Sequence, residues 1–146
     1  FYHHFFQALT KSKDSTLAAL GEKSLKEVTY HLRHSRDWML RLGQGTEESR
    51  RCLLAALDEL WTYTGDLFDM DTVDELLVRE GIGVDLKSIR PLWEHTVRET
   101  FTEADIPYPA DSFMQRGSRD GRHTEHLGHL LSELQILHRS IPNAQW

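Results

Sequence analysis

Residues 14–43, DSTLAALGEKSLKEVTYHLRHSRDWMLRLG, read as one long helix. Leu17, Leu20, Val28, Leu32, Met39 and Leu42 fall on one seam when successive residues are turned 100° apart. Glu27, His31 and His34, with Trp38 one turn on, form a narrow stripe along the edge of that seam. Lys26, Arg33 and Asp37 face the other way, and Lys23 and Arg41 border the stripe on its wet side. A carboxylate and two imidazoles thus sit where the helix turns from water towards a core.

The rest of the chain repeats the helical period. Residues 1 to about 12 place Phe1, Phe5, Ala8 and Leu9 on one face. KSKD breaks that pattern, and Asp14 or Ser15 suits the N-cap of the long helix. Gly43-Gln-Gly45 supplies a C-terminal glycine signal. Thr46 caps a third helix whose first turn holds Glu47 and Glu48, and Leu53, Ala56, Leu57, Leu60, Thr64, Leu67 and Phe68 are its expected inner stripe. Asp71 opens a short helix with Asp74 as its box partner, and Leu76 and Leu77 are expected to bury before Gly81-Ile-Gly83 ends it. Asp85 starts another, with Pro91 in an early-turn position and Leu92, Trp93, Thr96, Val97 and Phe101 as its apolar face. Residues 105–121 read as irregular, and a last helix runs from about Arg122 to Ile141. No segment alternates with period two for long enough to be a strand. The expectation is an all-α chain, a single domain over 1–146, with long helices packed as a bundle.

Charge narrows the function classes. A net charge of −6 over 146 residues argues against nucleic-acid binding, which needs clustered Lys and Arg. No run approaches the roughly 18 apolar residues of a membrane span. The single cysteine, Cys52, lies in an apolar helical pattern, which suits a buried thiol, a reducing cytoplasmic setting and no internal disulfide. The chain opens on FYHHFFQAL, a helix met in mid-course, so it is expected to be the C-terminal portion of a longer chain with its N-terminal helices missing.

Two histidine groups raise the question of a metal. A carboxylate-bridged di-iron bundle needs one Glu from each of two helices and a Glu-x-x-His from each of two others, because spacing three aims both ligands at one metal. No Glu in this chain has a His three residues later. The nearest approaches, Glu27 to His31 and Glu125 to His129, have spacing four. A second cluster, Gly121-Arg-His-Thr-Glu-His-Leu-Gly128, places His123 and His126 on the inner side of the last helix, without a third ligand at zinc spacing. Buried polar groups bonded to one another are the favoured reading of both. Arg116, Arg119 and Arg122 read as a solvated loop rather than an anion site. Trp38, Trp61, Trp93, Tyr63, Phe68 and Phe101 are expected to be mostly core, and any left exposed would mark a protein–protein surface.

Three blocks carry a resemblance. LKEVTYHLRHSRDWMLRLGQGTEES, ELWTYTGDLFDMD and GRHTEHLGHLLSELQILHRSIPNAQW resemble the structural subunit of the bacterial phenylacetyl-coenzyme A ring epoxidases, in order and spacing, across essentially the whole chain. The resemblance implies a ferritin-like fold and a part in aerobic phenylacetate catabolism. It implies that a related catalytic subunit holds the di-iron centre and epoxidises the ring, with electrons from NADPH through a reductase. It further implies that the chain seen here is an accessory subunit, itself no enzyme, which pairs with and stabilises that catalytic subunit and holds no metal or other cofactor. On this reading Glu27, His31, His34, His123 and His126 form a polar cluster, the relic of a metal site. The chain would work in the cytoplasm as a homo- or hetero-oligomer, with neither nucleic acid nor membrane as partner. The alternative is a metal-binding ferritin-like oxygenase or storage protein with an atypical site.

Overall fold

The computed structural model describes residues 1–110, 113–143 and 145. Asp111 and Ser112, in the expected irregular stretch, and Ala144 and Trp146, in the third resemblance block, lie outside the described residues. Every regular element among the described residues is helical: α1 (Tyr2–Leu9), α2 (Ser15–Gly43), α3 (Glu47–Leu60), α4 (Thr72–Arg79), α5 (Leu86–Glu103) and α6 (Glu125–Ser140), with short 3-10 turns at Trp61–Tyr63, Gly65–Phe68 and Ser118–Asp120. This all-α architecture accords with a ferritin-like bundle. The chain divides into two compact units, Phe1–Arg116 and Gly117–Trp146.

The helix starts follow from their caps. Asp14 accepts from the Thr16 and Leu17 amides, and Thr46 from the Ser49 amide. Asp71 and Asp74 close a reciprocal capping box. Such a cap satisfies an amide that has no partner within the helix, and each stabilises by about 1 kcal/mol. The helix ends divide into two kinds. Gly81, at φ 74°, ends α4 in a left-handed turn, with the Ile82 amide donating to the Leu77 carbonyl at 2.9 Å. Asp105, at φ 55°, does the same after α5, with the Ile106 amide on Phe101 at 2.8 Å. Gly43 is different. It is the last residue of α2, and the cap residue Gln44 has φ −98°. The glycine signal at 43 marks a close approach, since an added Cβ would lie 2.5 Å from the Ala104 carbonyl oxygen.

The expected apolar stripe of the third helix runs on to Phe68. The α-helix stops at Leu60 instead, and 3-10 turns follow. The Thr64 hydroxyl donates to Trp61, the Thr62 hydroxyl donates to Phe113, and the Gln115 amide donates to Thr62. Returning chain at 113–115 thereby takes up the groups that a continuing helix would have used. Pro91 likewise lies inside α5 rather than at its start, leaving the Lys87 carbonyl without the amide it would bond in an unbroken helix.

Two apolar clusters build the core of the first unit. Leu9, Phe68, Val84, Leu86 and Ile89 form one, and Trp61, Phe101, Ala104 and Ile106 the other. Trp93 packs against both. Helix α5 therefore supplies the core at each end, and its Ile89 is 2 % exposed, a burial that stabilises by about 2 kcal/mol. By contrast, the only fully buried residues of α2 are Gly21 and Gly43, and α3 and α4 have none. Leu20, Leu60, Leu76 and Leu92, all expected inside, are exposed. Cys52 is exposed too, correcting the expected buried thiol: it lies on the outer side of α3 beside Glu48, to which its thiol donates at 3.4 Å.

α1 is tied to α5 by a histidine. The Thr96 hydroxyl donates to the Leu92 carbonyl, so His4 Nε2, 2.9 Å away, is the donor to Thr96. Burial, then the neighbouring His3, lowers the His4 pKa below its ordinary value. A lowered histidine pKa means that the folded chain holds the proton less tightly than the unfolded one. The stabilisation is therefore complete above about pH 6.5 and is lost as the pH falls below it. Thermal unfolding between pH 7.5 and 5 is expected to show a falling Tm, and His4→Gln, which keeps a donor for Thr96 without a titrating ring, to flatten that fall. A His4→Gln profile as steep as the parent's would remove His4 as the cause.

The second unit is a turn and a helix. Gly117 and Gly121, at φ 103° and 78°, bracket the 3-10 turn, and the Arg122 amide closes it on Gly117. The expected helix start at Arg122 moves to Glu125, because Gly121 is left-handed and Thr124 is extended. Leu130, Leu134 and Leu137 of α6 are exposed.

Candidate functional site

Glu27, His31 and His34 lie on α2 as the helical spacing requires, but in solvent rather than in a core. His31 Nε2 is 3.8 Å from Glu27 Oε1, with the two side chains 59 % and 74 % exposed. The reason is positional. Helices α1, α3 and α5 all pack on α2, while the row carrying these residues points away from them. His123 and His126 belong to the second unit and are exposed as well, His123 ahead of the helix and His126 in its first turn. The expected burial of the five-residue cluster is thus absent from each unit taken by itself.

Among the described residues no group of three His, Cys, Asp or Glu side chains converges as metal ligands would. No buried side-chain nitrogen or oxygen among them lacks a partner. The donor set does not fit a di-iron centre. It offers carboxylate–imidazole pairs of spacing four, such as Glu27–His31 and His95–Glu99, on exposed helix faces, where that centre needs four carboxylates and two imidazoles converging from four helices.

The stripe does contain an ordered arrangement of another kind. The Tyr30 and His34 rings stack with centroids 5.9 Å apart and planes 26° apart, and His34 meets the Trp38 ring edge-on at 6.3 Å. The Arg33 guanidinium lies 5.6 Å from the Tyr30 ring centre and the Arg41 guanidinium 5.5 Å from that of Trp38. Each such cation–ring contact contributes about 0.5–1 kcal/mol at an exposed site. Tyr30 is 53 % exposed and Trp38 46 %. The aromatic row follows the i, i+4, i+8 spacing, with an arginine three residues after each outer ring. The sequence reading puts Arg33 on the opposite face and does not place Tyr30 in the stripe. The three-residue Tyr–Arg and Trp–Arg intervals are the signal that could have found the row. Of the other large aromatic residues, Trp61, Phe68 and Phe101 are core as expected, whereas Tyr63 is exposed.

Other ion pairs are local. Arg116 pairs with Asp69. Arg51 grips Glu48 through Nε at 2.9 Å and Nη2 at 2.6 Å, which holds the Glu48 carboxyl below its usual range.

Residues 1–146, the whole chain, match the family described as phenylacetic acid catabolic protein. The chain belongs to that family. It is also 43 % identical over 141 residues to one subunit of the 1,2-phenylacetyl-CoA epoxidase of Escherichia coli strain K12, an alignment covering 97 % of this chain and 57 % of the relative. The chain therefore spans a little over half the length of that curated relative. Membership of the phenylacetic acid catabolic family agrees with the resemblance carried by the three sequence blocks. No helix among the described residues is long and apolar enough to cross a membrane.

Proposed function

We propose that this chain is part of a non-catalytic subunit of a multicomponent phenylacetyl-CoA epoxidase, and that it acts by binding and stabilising the di-iron catalytic subunit. The observation that carries the reading is the 43 % identity to one subunit of such an epoxidase, sustained over 97 % of the chain. The donor set supports it independently: twelve glutamates without one Glu-x-x-His leave no half-site for a carboxylate-bridged metal pair. On this reading Glu27, His31, His34, His123 and His126 are remnants of a metal-site pattern. They now serve as polar surface groups on a scaffold, and the ring oxidation takes place in the partner.

The test is reconstitution. Epoxidation by the catalytic subunit and its reductase is expected to fall when this chain is omitted, and the two proteins are expected to co-purify. Two near-stoichiometric iron atoms bound by this protein alone would overturn the reading and favour an oxygenase or storage protein with an atypical site.

The Tyr30–His34–Trp38 row is where we place the contact. Interface centres are enriched in Trp, Tyr and Arg, and both exposed rings here are flanked by arginines. Trp38→Ala is expected to weaken capture of the catalytic subunit about 30-fold, the equivalent of about 2 kcal/mol for a central aromatic residue. Because Trp38 is half exposed, Tm should move little. Unchanged affinity in Trp38→Ala and in Tyr30→Ala would remove this face from the interface.

A further inference from the structure

A cavity of about 300 Å³ opens in the first unit between α2, α3, the Trp61 turn and α5. Met39, Leu57, Trp61, Val97 and Phe101 supply its apolar wall. Four hydroxyl residues also line it, yet each is already engaged with backbone. Ser35 donates to His31, Thr64 to Trp61, Thr96 to Leu92 and Thr100 to Thr96, at 2.8–3.0 Å. Arg36 is the one charged group in the lining among the described residues, and its guanidinium is committed to Glu103. The cavity therefore offers a ligand carbon surface, with its hydroxyls and its cation already engaged.

The wall is preformed. Trp61 is 8 % exposed and held by stacking on Trp93 at 5.8 Å and by the edge of Tyr108 at 5.3 Å. The cavity is open to solvent on one side, where exposed Leu60 borders it, and ligand sites begin at about 300 Å³. From the volume, the Trp61 and Phe101 rings in the wall and the spent polar groups, we infer that this cavity binds a neutral aromatic molecule of one or two rings. A carboxylate or a phosphate is disfavoured, since the wall is carbon and the cation in the lining already pairs with Glu103. The inference does not rest on the subunit reading, because the cavity belongs to this chain alone.

The test uses 4-fluorotoluene as probe, followed by its fluorine resonance and by Tm, with 4-fluorobenzoate as the charged counterpart. The expected result is a shifted, saturable fluorine signal and a Tm raised by several degrees with 4-fluorotoluene, and neither change with 4-fluorobenzoate. Leu57→Trp and Val97→Phe fill the cavity from two different walls. At least one should fold with native circular dichroism and bind the probe tenfold or more weakly. The inference is overturned by absence of binding up to the solubility limit of 4-fluorotoluene, by equal binding of 4-fluorobenzoate, or by full binding to both filled variants. Displacement of the probe by the catalytic subunit would also overturn it, assigning the cavity to a protein side chain. Loss of epoxidase reconstitution without any change in probe binding bears on the subunit reading alone.

Discussion

Trp61→Ala is expected to destabilise the first unit by about 3–5 kcal/mol, the range for removing a large buried aromatic side chain. Trp61 is the hub of the second apolar cluster, with Trp93, Phe101 and Tyr108 all within 6.0 Å of its ring centre. Truncation would strip one face from each of those rings and enlarge the adjoining cavity, which the surrounding helices cannot collapse into without moving Trp93 out of the first cluster. Urea unfolding is the measurement, read as a lower midpoint at unchanged slope. Trp61→Phe keeps one ring and should lose less than half as much. A Trp61→Ala loss below about 1 kcal/mol would contradict a core built around this side chain.

Gly43→Ala is expected to cost about 2 kcal/mol, although alanine is the better helix former by about 1 kcal/mol. The added methyl would stand 2.5 Å from the Ala104 carbonyl oxygen and 3.1 Å from the Ile106 Cδ1 atom. The first of these is backbone at the end of α5, so relief requires two helices to separate. Gly128 provides the opposite case. It lies within α6, and a methyl added there would have no neighbour within 4 Å. Gly128→Ala should therefore express only the helix preference and stabilise by up to about 1 kcal/mol. The same substitution in two helices thus has opposite signs, and thermal unfolding of both variants decides the point. Two stabilising results would mean that α2 and α5 do not approach as closely as the structure has them.

Local signals in the sequence translated well into the fold. Asp14, Thr46, Asp71 and Asp85 all cap where the residue type and following pattern place them. The cap is a short-range device, so its sequence signature is short-range too. What periodicity cannot reveal is which helix becomes the core. The long stretch 14–43 has the strongest repeat, yet α2 fully buries only its two glycines, while α5, interrupted by Pro91, carries Leu86, Ile89 and Phe101 inside. Burial depends on what packs over a face, and residues distant in sequence decide that. The end of α3 was unreadable for the same reason: Thr62 is held by Phe113, far along the chain. At the candidate site, the missing Glu-x-x-His was readable from spacing alone, since both residues of that motif belong to one helix. The exposure of Glu27, His31 and His34 was not readable, because the stripe lies at the edge of the apolar seam and either side of that edge satisfies the period.

The two buried glycines of α2 have a mechanical consequence. Gly21 sits against the α1 terminus, where a methyl would meet the Thr10 amide nitrogen at 2.9 Å, and Gly43 sits against Ala104. These contacts lie about 33 Å apart along the helix axis. A rod pinned at two such points resists turning about its own axis, since any roll drives neighbouring side chains into the backbone that the glycines admit. The span between the pins carries Tyr30, His34 and Trp38, already in ring contact with one another in the unbound chain. A protein that docks there meets rings whose orientation is set in advance, and little freedom remains to be lost on association.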